Sequence, residues 1–334
     1  MKAIVMTAAG KPDVLQLRET PIPELQDASH CLVHLAAAGV NPIDCRIRRL
    51  HMFHPNHFPA VLGFDGAGVV EKAGSACTRF KAGDPVYFFN GGLGGPTGGT
   101  YAQYAIVHEA YLARKPDNAS MHEAAALPLV LITAWEALVF RAGLEAGQRV
   151  LIHGGAGGVG HLAIQLARHL RARVAATVGT EEKAQFVRAL GAELAVDYEQ
   201  QDFVAAAKQW TDREGVDVVL DTVGGETFLR SIDAVRIYGR LITLLATPID
   251  LAHANKARGR NILIGYEGMV TPAATNHHRA RLAQTRILEQ GARLVEQGKL
   301  KIVVGEVLPL ERAADAHEQL ETGHTQGKIV LDIG

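Results

Sequence analysis

The stretch Arg149-Val150-Leu151-Ile152-His153-Gly154-Gly155-Ala156-Gly157-Gly158-Val159-Gly160-His161-Leu162-Ala163-Ile164-Gln165-Leu166-Ala167 decides the fold. A short apolar run suited to a buried parallel strand stops at a glycine cluster, and a helix-like apolar pattern starts at once. Within it, Gly155-x-Gly157-x-x-Gly160 has the spacing of a dinucleotide-binding turn. Gly155 allows the tight turn, Gly157 lets the backbone approach a pyrophosphate, and Gly160 lets the helix lie close to the sheet. The unpaired N–H groups of the helix start then face anionic phosphates.

Downstream of Met121, strand-like and helical runs alternate: Val150–His153, Leu162–Leu170, Val174–Val178, Glu181–Leu190, Val216–Asp221, Thr227–Ala234, Arg240–Leu245 and Asn261–Gly265. That alternation predicts βαβ units and an α/β fold with a doubly wound parallel sheet. Upstream, the short runs Ala3–Met6, Cys31–Ala37, Gly68–Lys72, Asp84–Phe89 and Ala102–Val107 are broken by glycine and proline, as in an all-β barrel-like unit. The segment Gly91–Gly99 has almost no side chain to bury and is expected to be an exposed loop. Arg279–Glu296 and Glu311–Glu321 read as helices, and Ile302–Val304 and Lys328–Asp332 as strands.

A chain of 334 residues points to about two domains. Hydrophobic content of 48% with 21% charged residues fits a globular protein with a large core. Formal net charge is −1, so there is no basic field to attract nucleic acid or an anionic membrane. Met1–Thr7 is too short an apolar segment for a secretory core, and no run of about 18 apolar residues suggests a membrane span. Cys31, Cys45 and Cys77 are odd in number and lack CxxC spacing, which makes a reducing cytoplasm the expected location.

Several ordered motifs complete the picture. They are Gly39-Val40-Asn41-Pro42-Ile43-Asp44, Phe58-Pro59-Ala60-Val61-Leu62-Gly63-Phe64-Asp65-Gly66-Ala67-Gly68, Gly83-Asp84-Pro85-Val86 and Gly99-Thr100-Tyr101-Ala102-Gln103-Tyr104. Ala124-Ala125-Ala126-Leu127-Pro128, Leu131–Leu138, the phosphate turn, Gly191-Ala192 and Gly327-Lys328-Ile329-Val330-Leu331 follow. With these motifs the whole chain resembles the medium-chain dehydrogenase/reductase superfamily, and within it the zinc-free quinone oxidoreductase branch related to zeta-crystallin. The resemblance implies a GroES-like β-barrel catalytic domain over residues 1–123, a Rossmann NADP-binding domain inserted at 124–268, and a segment 269–334 that returns to the catalytic domain. Substrate and nicotinamide would meet in the cleft between domains. It also implies a homodimer through the Rossmann edge strand near Asn261–Gly265; an apolar edge left unpaired is an association hazard.

Zinc-dependent relatives supply a cysteine and a histidine from the two amino-terminal motifs. Here Asn41 and Phe64 take those places, and phenylalanine cannot ligate a metal. The four-cysteine structural zinc lobe is also missing, since no cysteine follows Cys77. His51-x-x-His54-x-x-His57 is a rival metal motif, but Pro55 and Pro59 argue against the regular helix that would stack its imidazoles. No metal is therefore expected, and Asp44 and Asp65 are assigned to hydrogen bonding and packing beside the site.

The second Rossmann strand, Val174–Val178, ends in Gly179-Thr180-Glu181-Glu182-Lys183. An NAD site wants a carboxylate at that strand end to bind the ribose 2′-hydroxyl. Val178-Gly179-Thr180 instead leaves room for a 2′-phosphate, with the Thr180 hydroxyl and Lys183 ammonium as ligands. Glu181 and Glu182 also read as residues that favour the positive helix end, a role compatible with that site. NADP(H) is thus favoured over NAD(H).

By resemblance, Asn41 and Thr133 face the nicotinamide region, and Gly155, Gly157, Gly158, Val159 and Gly160 hold the pyrophosphate. Lys328 joins the cofactor set. Tyr198 stands where the family stacks on or hydrogen-bonds the adenosine end; it equally reads as closing a strand. Asn41, Asp44, Arg46 and Thr133 form the expected catalytic set. Arg46, where the family often has a tyrosine, reads either as a fixed charge for a developing oxyanion or as a solvated surface arginine beside Arg48 and Arg49. Cys45 reads as a packing residue or a reactive thiol.

The expected activity is NADPH-dependent, zinc-independent reduction of quinones or related electrophilic carbonyl compounds. An enoyl or 2-alkenal double-bond reductase shares the scaffold. An NADPH-binding structural or regulatory protein is the alternative of another class.

Overall fold

Alternation along each strand decides which face is buried, and strand order decides what lies beside what. The computed structural model describes the chain except residues 51, 54–56, 92 and 94–97. It divides into a first unit, Met1–Leu129 with Val270–Gly298 and Ile302–Gly334, and a second unit, Val130–Met269 with Lys299–Lys301. The first unit thus runs through Leu129, past the boundary at 124 read from the sequence.

In chain order the first unit begins with β1 (Lys2–Met6), β2 (Leu15–Glu19), β3 (His30–Val40), β4 (Ala60–Val61), β5 (Asp65–Ala73), β6 (Pro85–Phe89), β7 (Tyr104–His108) and β8 (Leu112–Arg114). The second unit contributes β9 (Arg149–Ile152), β10 (Arg173–Val178), β11 (Leu194–Asp197), β12 (Val216–Asp221), β13 (Val235–Thr243) and β14 (Leu263–Tyr266). The chain then returns to the first unit with β15 (Val304–Pro309) and β16 (Lys328–Asp332).

Two sheets build the first unit: β2-β1-β4, and β15-β16-β3-β5-β6-β8 with β7 also on β3. Strand β3 is the hub. Its first half pairs antiparallel with β7, and its second half with β16, where Ile329 lies opposite Val40. Cys31, Val33 and Leu35 alternate into a core with Val70, Phe80, Val86, Phe88, Val107 and Leu112.

The six strands of the second unit lie in the order β11-β10-β9-β12-β13-β14, every pair parallel. This is the doubly wound order of a dinucleotide-binding sheet, as expected from the alternating pattern. Adjacent residues serve opposite faces: Val150, Ile152, Val174 and Ala176 pack with the helices Gly158–His169 and Glu181–Leu190, whereas Leu151, Ala175 and Val219 pack with Phe203, Phe228 and Ile232. Burial on both faces is why these strands read as continuous apolar runs.

Two expectations are corrected. Of the segment expected as an exposed loop, Gly98 is exposed, Gly91, Leu93 and Gly99 are buried, and residues 92 and 94–97 lie outside the described residues; the Gly99 N–H donates to the Val61 carbonyl at 3.0 Å. A Cβ on Gly99 would fall 2.1 Å from the Leu62 carbonyl oxygen, so the missing side chain lets the backbone pack inward rather than leaving it outside. The tail strand begins at Val304, and Ile302, expected within it, is instead a buried residue preceding it.

Candidate functional site

At the end of β9, His153 is buried, with its ring nitrogens 3.1 Å from Thr177 Oγ1 and 2.9 Å from Ser231 Oγ. This ties the strand end to its neighbours just before the glycine turn. The Gly155 N–H donates to the Thr177 carbonyl at 2.9 Å, so the turn lies against the end of β10. Gly157 is extended (φ −76°, ψ −179°), and no side chain caps the helix Gly158–His169 that it precedes. The first N–H groups of a helix have no intrahelical acceptor, so Gly158, Val159 and Gly160 present donors with positive helix polarity behind them. A Cβ on Gly160 would lie 2.2 Å from Gly154 O and 2.8 Å from Gly155 Cα, both backbone atoms. Only glycine allows this approach. The donors and the open turn fit a dinucleotide pyrophosphate.

One strand over, the Thr180 hydroxyl accepts the Lys183 N–H at 3.2 Å and caps the helix Glu181–Leu190. The hydroxyl proton is not consumed by that bond, since the oxygen is the acceptor. Glu181 pairs with Arg188 at 2.9 Å. Tyr198 donates its N–H to the Val178 carbonyl at 3.0 Å, and its ring is about half-exposed. A Cβ on Gly179 would meet the Tyr198 hydroxyl at 2.5 Å, so the tyrosine lies over the glycine beside Thr180. Tyr198 thus extends the β10–β11 pairing and places its phenol beside Gly179 at the strand end.

In the first unit, a buried polar knot surrounds Asn41. Lys328, 3% exposed, donates to the Val40 carbonyl at 2.7 Å and to Asn41 Oδ1, with Asp65 Oδ2 at 3.8 Å. Asn41 Nδ2 donates to Asp65 Oδ2 at 2.9 Å, and the Leu129 N–H to Asp65 Oδ1 at 2.9 Å. Asp44 Oδ2 accepts from the Asn41 N–H at 2.8 Å and the Tyr101 hydroxyl at 3.1 Å. His317 Nε2 lies 3.1 Å from that hydroxyl. With Tyr101 donating to Asp44, His317 is assigned as the Nε2–H tautomer.

Burial disfavours every charge in this knot. It pushes Asp44 up to about 7, with Asp65 adding to the shift and the Asn41 N–H opposing it. It pushes Asp65 up to about 6 against the pull of Lys328. It lowers Lys328 against the pull of Asp65, and lowers His317 to about 3 with help from Arg48. Lys328, expected among the cofactor ligands, thus directs its ammonium at Asn41 and the interior.

Asn41, Asp44 and Lys328 are brought together in the first unit. The phosphate-turn residues, Thr180, Lys183, Tyr198 and the buried Thr133 belong to the second. Arg46 is half-buried on the helix Pro42–Leu50. Its neighbour Arg48 is not a surface residue: it is 1% exposed and donates to both Glu321 oxygens at 2.7 and 2.8 Å. Cys45 is buried, and its thiol is pushed far up by desolvation, which makes it a packing residue. Phe64 is fully buried and stacks on Phe89 at 5.2 Å, while Asn41 has its amide engaged by Asp65 and Lys328. Neither side chain offers a zinc ligand. Among the described residues, no group of three or more His, Cys, Asp or Glu is placed to hold a metal ion. His51 and His54 lie outside the described residues.

Tyr101, His317 and the Asp65–Lys328 contact were not assigned to the site from sequence. Tyr101 sits in a quoted motif, which was a usable signal; His317 lies in an ordinary amphipathic helix and gave none.

Residues 27–117 match the alcohol dehydrogenase GroES-like domain, and residues 190–331 a zinc-binding dehydrogenase domain. The chain is 36% identical over 342 residues to 2-methylene-furan-3-one reductase of Solanum lycopersicum, covering 99% of this chain and 79% of that one. It is 36% identical over 341 residues to the chloroplastic NADPH-dependent alkenal/one oxidoreductase of Arabidopsis thaliana, with the same 99% and 79% coverage. The quinone oxidoreductase of Homo sapiens is 29% identical over 338 residues, covering 99% and 97%. Among solved structures, an NAD-dependent alcohol dehydrogenase superposes with a TM-score of 0.89 at 34% identity, covering 100% of both chains. The Escherichia coli quinone oxidoreductase complexed with NADPH gives 0.87 at 29%, again covering 100% of both. Together with the paired GroES-like and Rossmann units, these matches place the chain in the medium-chain dehydrogenase/reductase superfamily. Its relatives there include the quinone oxidoreductases.

The raised carboxyl has a measurable consequence. Asp44 stands at about 7, above its ordinary 3.8, so between those values the folded chain keeps a proton that the unfolded chain releases. Its contribution to stability is full below about pH 4 and declines as pH rises to about 7. Asp44→Asn retains an acceptor for the Asn41 and Tyr101 donors without titrating. Its stability relative to wild type should improve by on the order of 2 kcal/mol between about pH 5 and about pH 7, read by urea unfolding. A pH-independent difference would contradict the assignment.

Proposed function

We propose that the protein is an NADPH-dependent reductase of quinones and related electrophilic carbonyl compounds that works without metal. The observation that carries this reading is the uncapped helix start after β9 beside a β10 end that offers Thr180 and Lys183 but no acid before the helix. An NAD enzyme of this fold would use a carboxylate there. The NADPH-complexed neighbour and the NADPH-dependent plant relative support the same cofactor.

Gly155, Gly157, Gly158, Val159 and Gly160 would hold the pyrophosphate, Thr180 and Lys183 the 2′-phosphate, Tyr198 the adenosine end, and Asn41 and Thr133 the nicotinamide region. Bound NADPH supplies the hydride. Positioning accounts for much of the rest. Lys328 and Asp65 fix both ends of the Asn41 amide, so Asn41 meets its ligand in one orientation. Lys328 is a positioning residue in this scheme. Arg46 supplies a fixed positive charge for a developing oxyanion. Quinone reduction needs no dedicated side-chain acid, because the product's protons can come from water. The two plant relatives, at 36% identity, favour activated alkenes as a second substrate class. The thiols Cys31, Cys45 and Cys77 suit a reducing cytoplasm.

NADPH consumption measured against a panel of quinones and a panel of enones tests the reading. Turnover that survives a chelator is expected. Loss on chelation with recovery on adding zinc refutes the metal-free scheme, and no turnover with either panel leaves the cofactor-binding role of another class. Deleting the Lys183 charge removes a charged hydrogen bond of about 1.5–3 kcal/mol, so Lys183→Ala should lower kcat/KM for NADPH roughly ten- to a hundredfold. NADH should be almost unaffected, and the gap should narrow as salt rises. An equal loss with both cofactors would assign Lys183 to the fold.

We further propose a homodimer through β14. This strand ends the sheet order and leaves Leu263 and Tyr266 about half-exposed. Light scattering should give a dimer mass at micromolar concentration and a monomer for Leu263→Asp. A wild-type monomer excludes this interface.

A further inference from the structure

The first unit contains a thiol pair that the proposed reduction does not use. Cys31 begins the buried face of β3, and Cys77 lies just after β5. Their Sγ atoms are 3.7 Å apart and both are free thiols. Backbone bonds hold the two segments in place: the Gly74 N–H donates to His30 O at 2.9 Å, and the Ala76 N–H to Ala28 O at 2.9 Å. Beyond Cys77, the Thr78 and Arg79 N–H groups both donate to Glu109 Oε2, at 2.9 and 2.8 Å. The chains touch so closely that a Cβ on Gly74 would lie 2.3 Å from Ala28 O. The sulfur contact is therefore set by the sheet and its turn rather than by chance rotamers. A disulfide requires an S–S distance of about 2.05 Å, roughly 1.7 Å shorter than the present contact.

The two sulfurs differ in access. Cys31 is fully buried, while Cys77 is half-buried. An oxidant from solvent meets Cys77 first, and Cys31 has Cys77 as its neighbour. The third cysteine, Cys45, is elsewhere, with its Sγ 3.9 Å from His317 O.

We propose that Cys31 and Cys77 form a reversible dithiol–disulfide pair, in which Cys77 reacts with a hydroperoxide and Cys31 resolves the product. The Cys77 sulfur attacks a peroxide oxygen; the O–O bond breaks, water leaves, and Cys77 becomes a sulfenic acid, oxidised by two electrons as the peroxide is reduced. The Cys31 sulfur then attacks the Cys77 sulfur. The S–O bond breaks, and the departing hydroxide takes the Cys31 proton to leave as a second water. Overall, two thiols and one hydrogen peroxide give one disulfide and two waters. A small dithiol reverses the change by exchange.

The same surroundings make the reaction slow. Burial and the neighbouring Cys77 thiol push Cys31 up to about 12. The Cys77 Sγ lies 3.6 Å from Ala28 O and 3.5 Å from His30 O, acceptors within reach of its S–H. Proximity supplies what nucleophilicity lacks, so the pair closes over minutes to hours rather than at the rate of a dedicated peroxidase.

The test uses the full-length protein with hydrogen peroxide as probe. Thiols are counted in denaturant and cross-linked peptides are identified by mass spectrometry before and after dithiothreitol. The expected result is loss of two of the three thiols, an intramolecular Cys31–Cys77 peptide, and full recovery with dithiothreitol. Cys45→Ser should form the same link. Cys77→Ser should leave Cys31 as a titratable thiol with no link, and it spares the fully buried position. Links between chains, Cys77 halted as sulfenic or sulfinic acid with Cys31 still reduced, or three intact thiols after prolonged exposure would each overturn the proposal.

Discussion

The ammonium of Lys328, buried against Val40, Asn41 and Asp65, is the contact on which the first unit depends. Burying a lysine costs several kcal/mol, and the oxygens around it offset that only when their geometry is held. They are held from four places in the chain. Val40 closes β3 and Asn41 follows it, Asp65 opens β5, Leu129 donates to Asp65, and Lys328 itself begins β16. The knot therefore links the amino-terminal third, the point where the chain leaves for the second unit, and the tail. It also removes the rotational freedom of Asn41. Both ends of its amide are engaged, one by Asp65 and the other by Lys328.

The second unit relies on leaving donors unsatisfied. Thr180, Asp202 and Asp250 each accept a backbone N–H at the start of a helix. The helices that follow Gly157 and Gly224 have no such side chain, and the first of them carries the glycine turn. A serine or aspartate in place of Gly157 would stabilise the helix by only about a few tenths of a kcal/mol over glycine, while its side chain would compete for the donors an anion needs. The chain forgoes a cap at this helix start, where the glycine spacing already pointed to a ligand. Its uncapped N–H groups and the close approach of Gly160 to Gly154 are two parts of one arrangement.

The doubly wound sheet was legible because its strands are buried on both faces, and its helices carry an apolar stripe. Glu181–Leu190, Val216–Asp221 and Lys328–Asp332 were placed to the residue. Strand β2 was not, since only Leu15 of its residues is buried and nothing marks it as apolar. The phosphate turn and the Thr180–Lys183 pair could be read from local spacing. The Asn41 knot could not: its members lie at 41, 44, 65, 101, 317 and 328; the antiparallel pairing of β3 with β5 and β16 gathers 41, 65 and 328, two helices bring 44 and 317, and backbone bonds to Ile4 and Leu62 place 101. Local pattern likewise assigned the glycine-rich segment at 91–99 to solvent. In the fold, lack of side chains permits Gly99 to pack against the backbone at Val61 and Leu62.

The place of β16 in its sheet has a consequence for how the chain is made. The core of the second unit is one continuous run, Val130–Met269, joined later by Lys299–Lys301, and all six strands of its sheet have been synthesised once β14 is complete. The first unit cannot finish then, because the second half of β3, paired with β5 along one edge, keeps its other edge open until Ile329–Asp332 emerge. At roughly 5–20 residues per second, that edge waits on the order of tens of seconds after Leu129 has been synthesised. Throughout that interval Asn41 and Asp65 lack the cation they are built around, and an open edge rich in Leu, Ala and Val is available for wrong pairing. The last strand to be made is thus the one that closes the β3 edge and supplies the cation to Asn41 and Asp65.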